Sequence, residues 1–216
     1  KSVDENGDEL IIPLKSERRL VYECYEYADY YSRMECVRPM TGYKKFDIWI
    51  ETAFKDWVRA NLEKFKSIDS GDIGTNERWS QTAYGWVDVD LFLNDMISGT
   101  IYMQSSWSPV TRKKAFIYDL KNGKEMILQD IFERNFESKS FFDLLIPAMK
   151  KEFHSKPELK TWIEGQRFEH ITIKDNGISF KTDFNTIYGE KEILIPFANL
   201  TDKLKHRSLI KALSGK

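Results

Sequence analysis

Two carboxylates spaced two residues apart, a group of aromatic side chains with a nearby arginine, and one pair of cysteines are the groups in this chain whose types and spacing could do chemistry. Asp88 and Asp90 alternate with Val87, Val89, Leu91 and Leu93. That period of two puts both carboxylates on one face of a strand, about 7 Å apart. Glycosidase carboxylate pairs work at such separations, and a solvated sheet face produces the same pattern. A deep cleft and a raised pKa at Asp88 and Asp90 would favour a hydrolase; a flat, solvated face would argue against one. Glu133 and Glu137, on a possible helix, are a second carboxylate pair.

Trp79, Trp86, Tyr102, Trp107 and Arg112 are the candidate ligand-binding residues. With Tyr84, the rings fall on one loop and two neighbouring predicted strands. Such rings stack on sugars or anchor a protein partner, and a guanidinium beside them supplies a polar clamp. The competing use is to fill the core between sheet and helix. A purely structural role would bury Trp79, Trp86 and Trp107 alike.

Cys24 and Cys36 are the chain's two cysteines. A hairpin of 19–26 with 33–38, turning near 29–31, sets them facing each other, and a cross-strand disulfide is then accessible. It would suit an oxidising compartment. Two buried thiols behaving as small hydrophobes are the alternative. The three histidines, His154, His170 and His206, have no cysteine or carboxylate at metal-ligand spacing. The sequence has no nucleophile elbow, phosphate loop or dinucleotide fingerprint. The expectation is therefore a protein without catalytic residues, metal or cofactor.

The elements that must position these groups are legible from periodicity. Phe46, Ile50, Phe54, Trp57 or Val58, Leu62 and Phe65 recur at spacings of three and four, predicting a helix over 43–66 with one core-facing stripe. A turn-rich loop over 67–80 follows. Strands are predicted over 86–93, 99–107 and 113–120, an antiparallel meander that ends in an Asn122-Gly123 hairpin, where both turn residues tolerate positive φ. Residues 136–165 read as helical, interrupted at Pro147 and reopened at Pro157. A second hairpin turns at Asp175-Asn176-Gly177, a last strand runs over 192–195, and a short helix over 198–205. The predicted fold class is α+β, a mostly antiparallel sheet with helices packed on one face. Residues 1–16 read as a flexible polar leader, 17–204 as a single domain and 205–216 as a basic tail.

At 216 residues, 41% hydrophobic and 14% aromatic, the chain can build a substantial core without metals or disulfides. Its formal net charge of -1 argues against nucleic acid as the main partner, since phosphate binding needs net basic charge or a basic stripe. No apolar run approaches the ~20 residues of a membrane span. The first residue is Lys rather than Met, which is compatible with a longer precursor.

Three segments carry a resemblance to a known family. They are MECVRPMTGYKKFDIWIETAFKDWV, the strand and hairpin IYDLKNGKEMILQDIF, and KDNGISFKTDFNTIYGEKEILIPFANL. Their order and spacing, over about 36–200, resemble the RsiV-like C-terminal domain family of bacterial envelope proteins. That family includes a membrane-anchored anti-sigma factor whose external domain binds lysozyme, and a module preceding the catalytic domain of some polysaccharide deacetylases. The resemblance implies an extracytoplasmic α+β module, secreted or lipid-anchored, that binds a cell-wall glycan or a protein. A hydrolase of envelope glycans is the alternative. Family members often carry a Gly-Gly-Ala-His type turn before the Asp-Leu-x-x-Gly-Lys hairpin; this chain has SSWSPVTRKKAF there, so a contact made by that turn is not carried across.

Overall fold

The computed structural model describes residues 12–13, 19–29, 32–67, 81–93, 95–132, 143–144, 147, 171–181, 192–200 and 204–205. The predicted leader, apart from Ile12–Pro13, lies outside the described residues. So do the loop over 68–80 with Trp79, Glu133 and Glu137, most of the predicted 136–165 helical region, all three histidines, Tyr188-Gly189 and the tail beyond Lys205.

In chain order the elements are β1 (Ile12–Pro13), β2 (Arg19–Ala28), β3 (Ser32–Met40), α1 (Lys44–Lys66), β4 (Gln81–Leu93), β5 (Met96–Ser105), β6 (Ser108–Asp119), β7 (Lys124–Glu125), α2 (Leu128–Ile131), β8 (Ile171–Lys174), β9 (Gly177–Lys181) and β10 (Glu192–Pro196). A 3-10 turn at Phe197–Asn199 stands where a short helix was expected. β1 to β7 form a seven-stranded sheet in sequential order, and β10-β9-β8 a three-stranded one. The class is α+β and mostly antiparallel, with one parallel pair that lies outside the predicted meander. β3 and β4 pair in parallel, Ser32 opposite Gln81 and Val37 opposite Trp86. The cause is α1, which lies between them in sequence; a helical crossover brings the chain back to start the next strand at the same end.

The chain divides into two compact units. The first comprises Lys1–Val89, Thr100–Lys114 and Leu120–Lys124. Its helix α1 starts at the predicted place, one residue after Tyr43. Asp47 in the first turn accepts hydrogen bonds from the Thr41 N–H and hydroxyl, each at 2.9 Å, where a carboxylate also suits the positive end of the helix dipole. Lys64 and Lys66 occupy the last turn. The buried stripe is Phe46, Ile50, Phe54, Trp57, Asn61 and Phe65; Val58 and Leu62 are half-buried. Phe54 and Trp57 sit against Gly85 of β4, where a Cβ would come within 2.9 Å of Phe54 Cε1 and 3.0 Å of Trp57 Cζ3. The predicted Asn122-Gly123 turn is also present, with Gly123 at φ 69° and Asn122 O accepting from Lys45 Nζ at 3.4 Å.

The second unit comprises Asp90–Gly99, Ala115–Asp119 and Glu125–Lys216. Its core joins Leu91, Met96 and Ile117 to Ile173, Ile178 and Phe180 of the three-stranded sheet. The predicted turn at Asp175-Asn176 links β8 and β9, with Lys174 opposite Gly177. A buried serine ties strands together here: Ser98 Oγ donates to Phe116 O at 3.0 Å and accepts from Ile173 N–H at 2.8 Å.

The Cys24–Cys36 disulfide does not form. Cys24 lies opposite Val37, and Cys36 opposite Tyr25. This one-residue offset sends the two side chains to opposite faces of the sheet, and both thiols are free. Burial pushes Cys36 up to about 12, against the pull of nearby Arg38. Burial also raises Cys24, helped by the carboxylates of Glu26 and Glu35.

Three outcomes are expected of this unit. Gly85→Ala should destabilise the protein by about 1–3 kcal/mol in urea denaturation, because the added methyl overpacks two buried rings. Unfolding without reductant should release two thiols, with half-buried Cys24 reacting before Cys36 in the native state. Cys36 ionises near 9 unfolded and about 12 folded, so the folded state keeps a proton that the unfolded state loses. Its contribution is intact below pH 9 and is lost as pH rises towards 12. Cys36→Ala should flatten that alkaline decline.

Candidate functional site

Trp107 and Arg112, two of the five predicted ligand-binding residues, line one cleft in the first unit. Its walls come from α1 and from the β5–β6 hairpin, and it encloses about 180 Å³ between Trp57, Asn61, Ser105, Trp107, Val110 and Arg112. Trp107 sits in the two-residue turn between β5 and β6. Its ring meets Phe65 of α1 edge-on, with centroids 5.4 Å apart at 86°, and stays 37% exposed. That geometry fixes the indole while leaving part of it open to a ligand. Arg112, on β6, is exposed at the same cleft.

The cleft floor is polar and fully satisfied. Asn61 is buried among aromatic neighbours, donates through Nδ2 to Trp57 O at 2.6 Å and accepts from Ser105 Oγ at 2.8 Å. Asp56 on the rim pairs with Arg59 at 3.0 Å. Sequence reading missed Asn61 because it sits between positions assigned to the apolar stripe. Its signal was there: a polar side chain four residues after Trp57 and four before Phe65 occupies a core position and needs a buried partner.

Trp86 and Tyr102 lie elsewhere. Cys36 and Gly85 are opposite each other on the face that carries α1, so Trp86, opposite Val37, points to the other face. There its ring stacks on Tyr102, 4.9 Å between centroids and 7° between planes, with Lys113 Nζ 5.2 Å above the Tyr102 ring. Tyr102 is buried and Trp86 half-buried. The predicted aromatic set is therefore two sets on opposite faces, and Trp79 lies outside the described residues. A role that buries Trp86 and Trp107 alike does not fit these exposures.

The carboxylate pair also separates by environment. Asp88 is exposed, while Asp90 is 3.6 Å from Lys174 Nζ, which also contacts Glu192 at 2.7 Å. Burial pulls the Lys174 ammonium down, but Glu192 and Asp90 together raise it. Neither aspartate lines the cleft or the larger groove described next. Among the described residues, no group of three or more His, Cys, Asp or Glu could hold a metal ion.

That larger groove, about 550 Å³, runs between α1 and β2–β3. Phe54, Val58 and Leu62 line it from the helix and Tyr25 and Cys36 from the strands. Arg38 closes one part of it, holding Glu23 at 2.6 Å and Glu51 at 3.0 Å. Burial of the guanidinium works against its charge, yet the two carboxylates raise its pKa overall.

No protein-family model matches the sequence, and no curated protein matches it. Among solved structures, the chain is similar to a DUF3298 family protein from Pseudomonas aeruginosa, with a TM-score of 0.65 and 16% sequence identity over 87% of this chain and 95% of that one. It is also similar to a member of the DUF3298 family from Bacteroides fragilis, with a TM-score of 0.58 and 15% identity over 91% and 98% of the respective chains. At these identities the likeness is one of fold. Both neighbours are bacterial proteins of a family of unknown function, so the shared fold brings no activity with it.

The cleft floor makes its own prediction. Asn61→Ala leaves the buried Ser105 hydroxyl without its acceptor, and stability in urea should fall by about 1–3 kcal/mol. Adding Ser105→Ala should cost less than the two single changes summed, because both remove one shared interaction.

Proposed function

We propose that this chain is a non-catalytic, extracytoplasmic ligand-binding or sensing module of a bacterial envelope protein, of the RsiV-like kind, and that its ligand is a cell-wall glycan. The observation that carries the reading is the pairing of Trp107 with Arg112 in one cleft: a part-exposed indole held edge-on by Phe65, and a guanidinium at the same opening. An indole face and a few fixed polar groups are what a sugar ring needs, since its C–H face is apolar and its rim is all hydroxyl. The bacterial proteins that share the fold and the sequence resemblance to envelope proteins support the setting. Among the described residues, no helix is long and apolar enough to cross a membrane.

Cosedimentation with insoluble peptidoglycan tests this. Binding should be saturable, and Trp107→Ala should weaken it at least about tenfold, the scale of a truncated aromatic anchor. Trp86→Ala, on the other face, should leave it nearly unchanged. Binding that ignores Trp107→Ala would move the site away from the cleft. No binding at all would turn the search to a protein ligand, lysozyme first.

A further inference from the structure

The Trp107 cleft is lined by one acid and one base, and only the acid has a charged partner, which bears on what enters it. Asp56 and Arg112 are the charged side chains lining the cleft. Asp56 is paired with Arg59 at 3.0 Å. Arg112 has no ion-pair or hydrogen-bond partner among the described residues. Three other cations of this unit are engaged, Arg38 by Glu23 and Glu51, Lys113 over Tyr102 and Lys114 over the Trp49 ring at 4.9 Å. Arg112 thus presents its fork of donors to the opening, beside an indole that is one-third exposed. Ser105 and Asn61 at the floor are already hydrogen-bonded to each other at 2.8 Å, so the floor leaves selectivity to the rim.

We infer that the ligand of this cleft is an acidic sugar, a pyranose ring bearing a carboxylate, with the ring against Trp107 and the carboxylate on Arg112. The inference rests on the glycan reading above and goes further by fixing the ligand's charge. A planar carboxylate takes two parallel N–H···O bonds from a guanidinium, which adds geometric selectivity as well as strength. The ring supplies the flat face that an isolated anion lacks, and that favours a sugar acid over an acidic peptide side chain.

The test compares two disaccharides that share a ring system and differ in charge: N-acetylglucosaminyl-N-acetylmuramic acid, with its lactyl carboxylate, and neutral chitobiose. Affinities are read by tryptophan fluorescence and by chemical-shift titration of the purified protein. The muramyl disaccharide should bind about tenfold or more tightly than chitobiose, the difference expected of one charge-assisted hydrogen-bond pair. Arg112→Gln should bring the muramyl disaccharide down to the affinity that the same variant has for chitobiose, and Arg112→Lys should restore only part of the preference. Arg112 is exposed, so neither variant threatens the fold. Equal binding of the two sugars, or a preference that survives Arg112→Gln, overturns the acidic ligand and leaves the glycan module standing. Binding of neither sugar overturns both readings. A tetraglutamate peptide that binds as tightly as the muramyl disaccharide, with the same dependence on Arg112, overturns the sugar and assigns an acidic peptide instead.

Discussion

The first unit depends on how closely α1 can approach its sheet. Gly85 sets that distance. Without a side chain at this position, Phe54 and Trp57 seat their rings against the β4 backbone, and each buried ring contributes roughly 1.5–3 kcal/mol of hydrophobic stabilisation. With the helix axis fixed there, its flanks cannot also close down on the strands. One flank leaves the long groove over Tyr25 and Cys36. The other leaves the small polar cleft under Trp107. Both openings are by-products of one close contact between them.

The polar groups of this unit divide accordingly. Where a gap is deep, its polar atoms are paired internally, as Asn61 is with Ser105 and Trp57. Where it is shallow, charges bridge the rim, as Arg38 bridges Glu23 and Glu51. A bridge of this kind, with carboxylates 51% and 64% exposed, adds little to stability once solvent screens it; it orients the strand edge relative to the helix. Arg112 lines the cleft without a partner among the described residues, and so marks it as an opening for something else.

Much of this fold could be read from the residues. The helix stripe, both hairpin turns, the alternation of β4 and the strands β5 and β6 are local patterns, and they appear in the structure close to their predicted places. Register is another matter. Cys24 and Cys36 miss each other by a single residue, and no local pattern fixes a ladder to that accuracy when both faces of β2 carry tyrosines and glutamates. The same parity problem split the aromatic set, since Trp86 differs from its neighbour Gly85 by one step and therefore by one face. Trp107 escaped the parity rule because it sits in a turn rather than a strand. The parallel pairing of β3 and β4 was hidden too, being set by where the chain re-enters the sheet after α1.

That parallel seam divides the seven-stranded sheet by the order in which it can assemble. Every other neighbouring pair of strands in it is joined by a short connection, so the β2–β3 ribbon and the β4–β5–β6 ribbon can each zip up locally and fast. The seam can close only after the chain from Met40 to Gln81 has looped back, and loop closure taxes such long-range pairing before any contact repays it. The helix that belongs to that loop carries the rings that pack on Gly85. Docking of α1 and closure of the seam are therefore one event, and the Trp107 cleft comes into being only when the two ribbons have met.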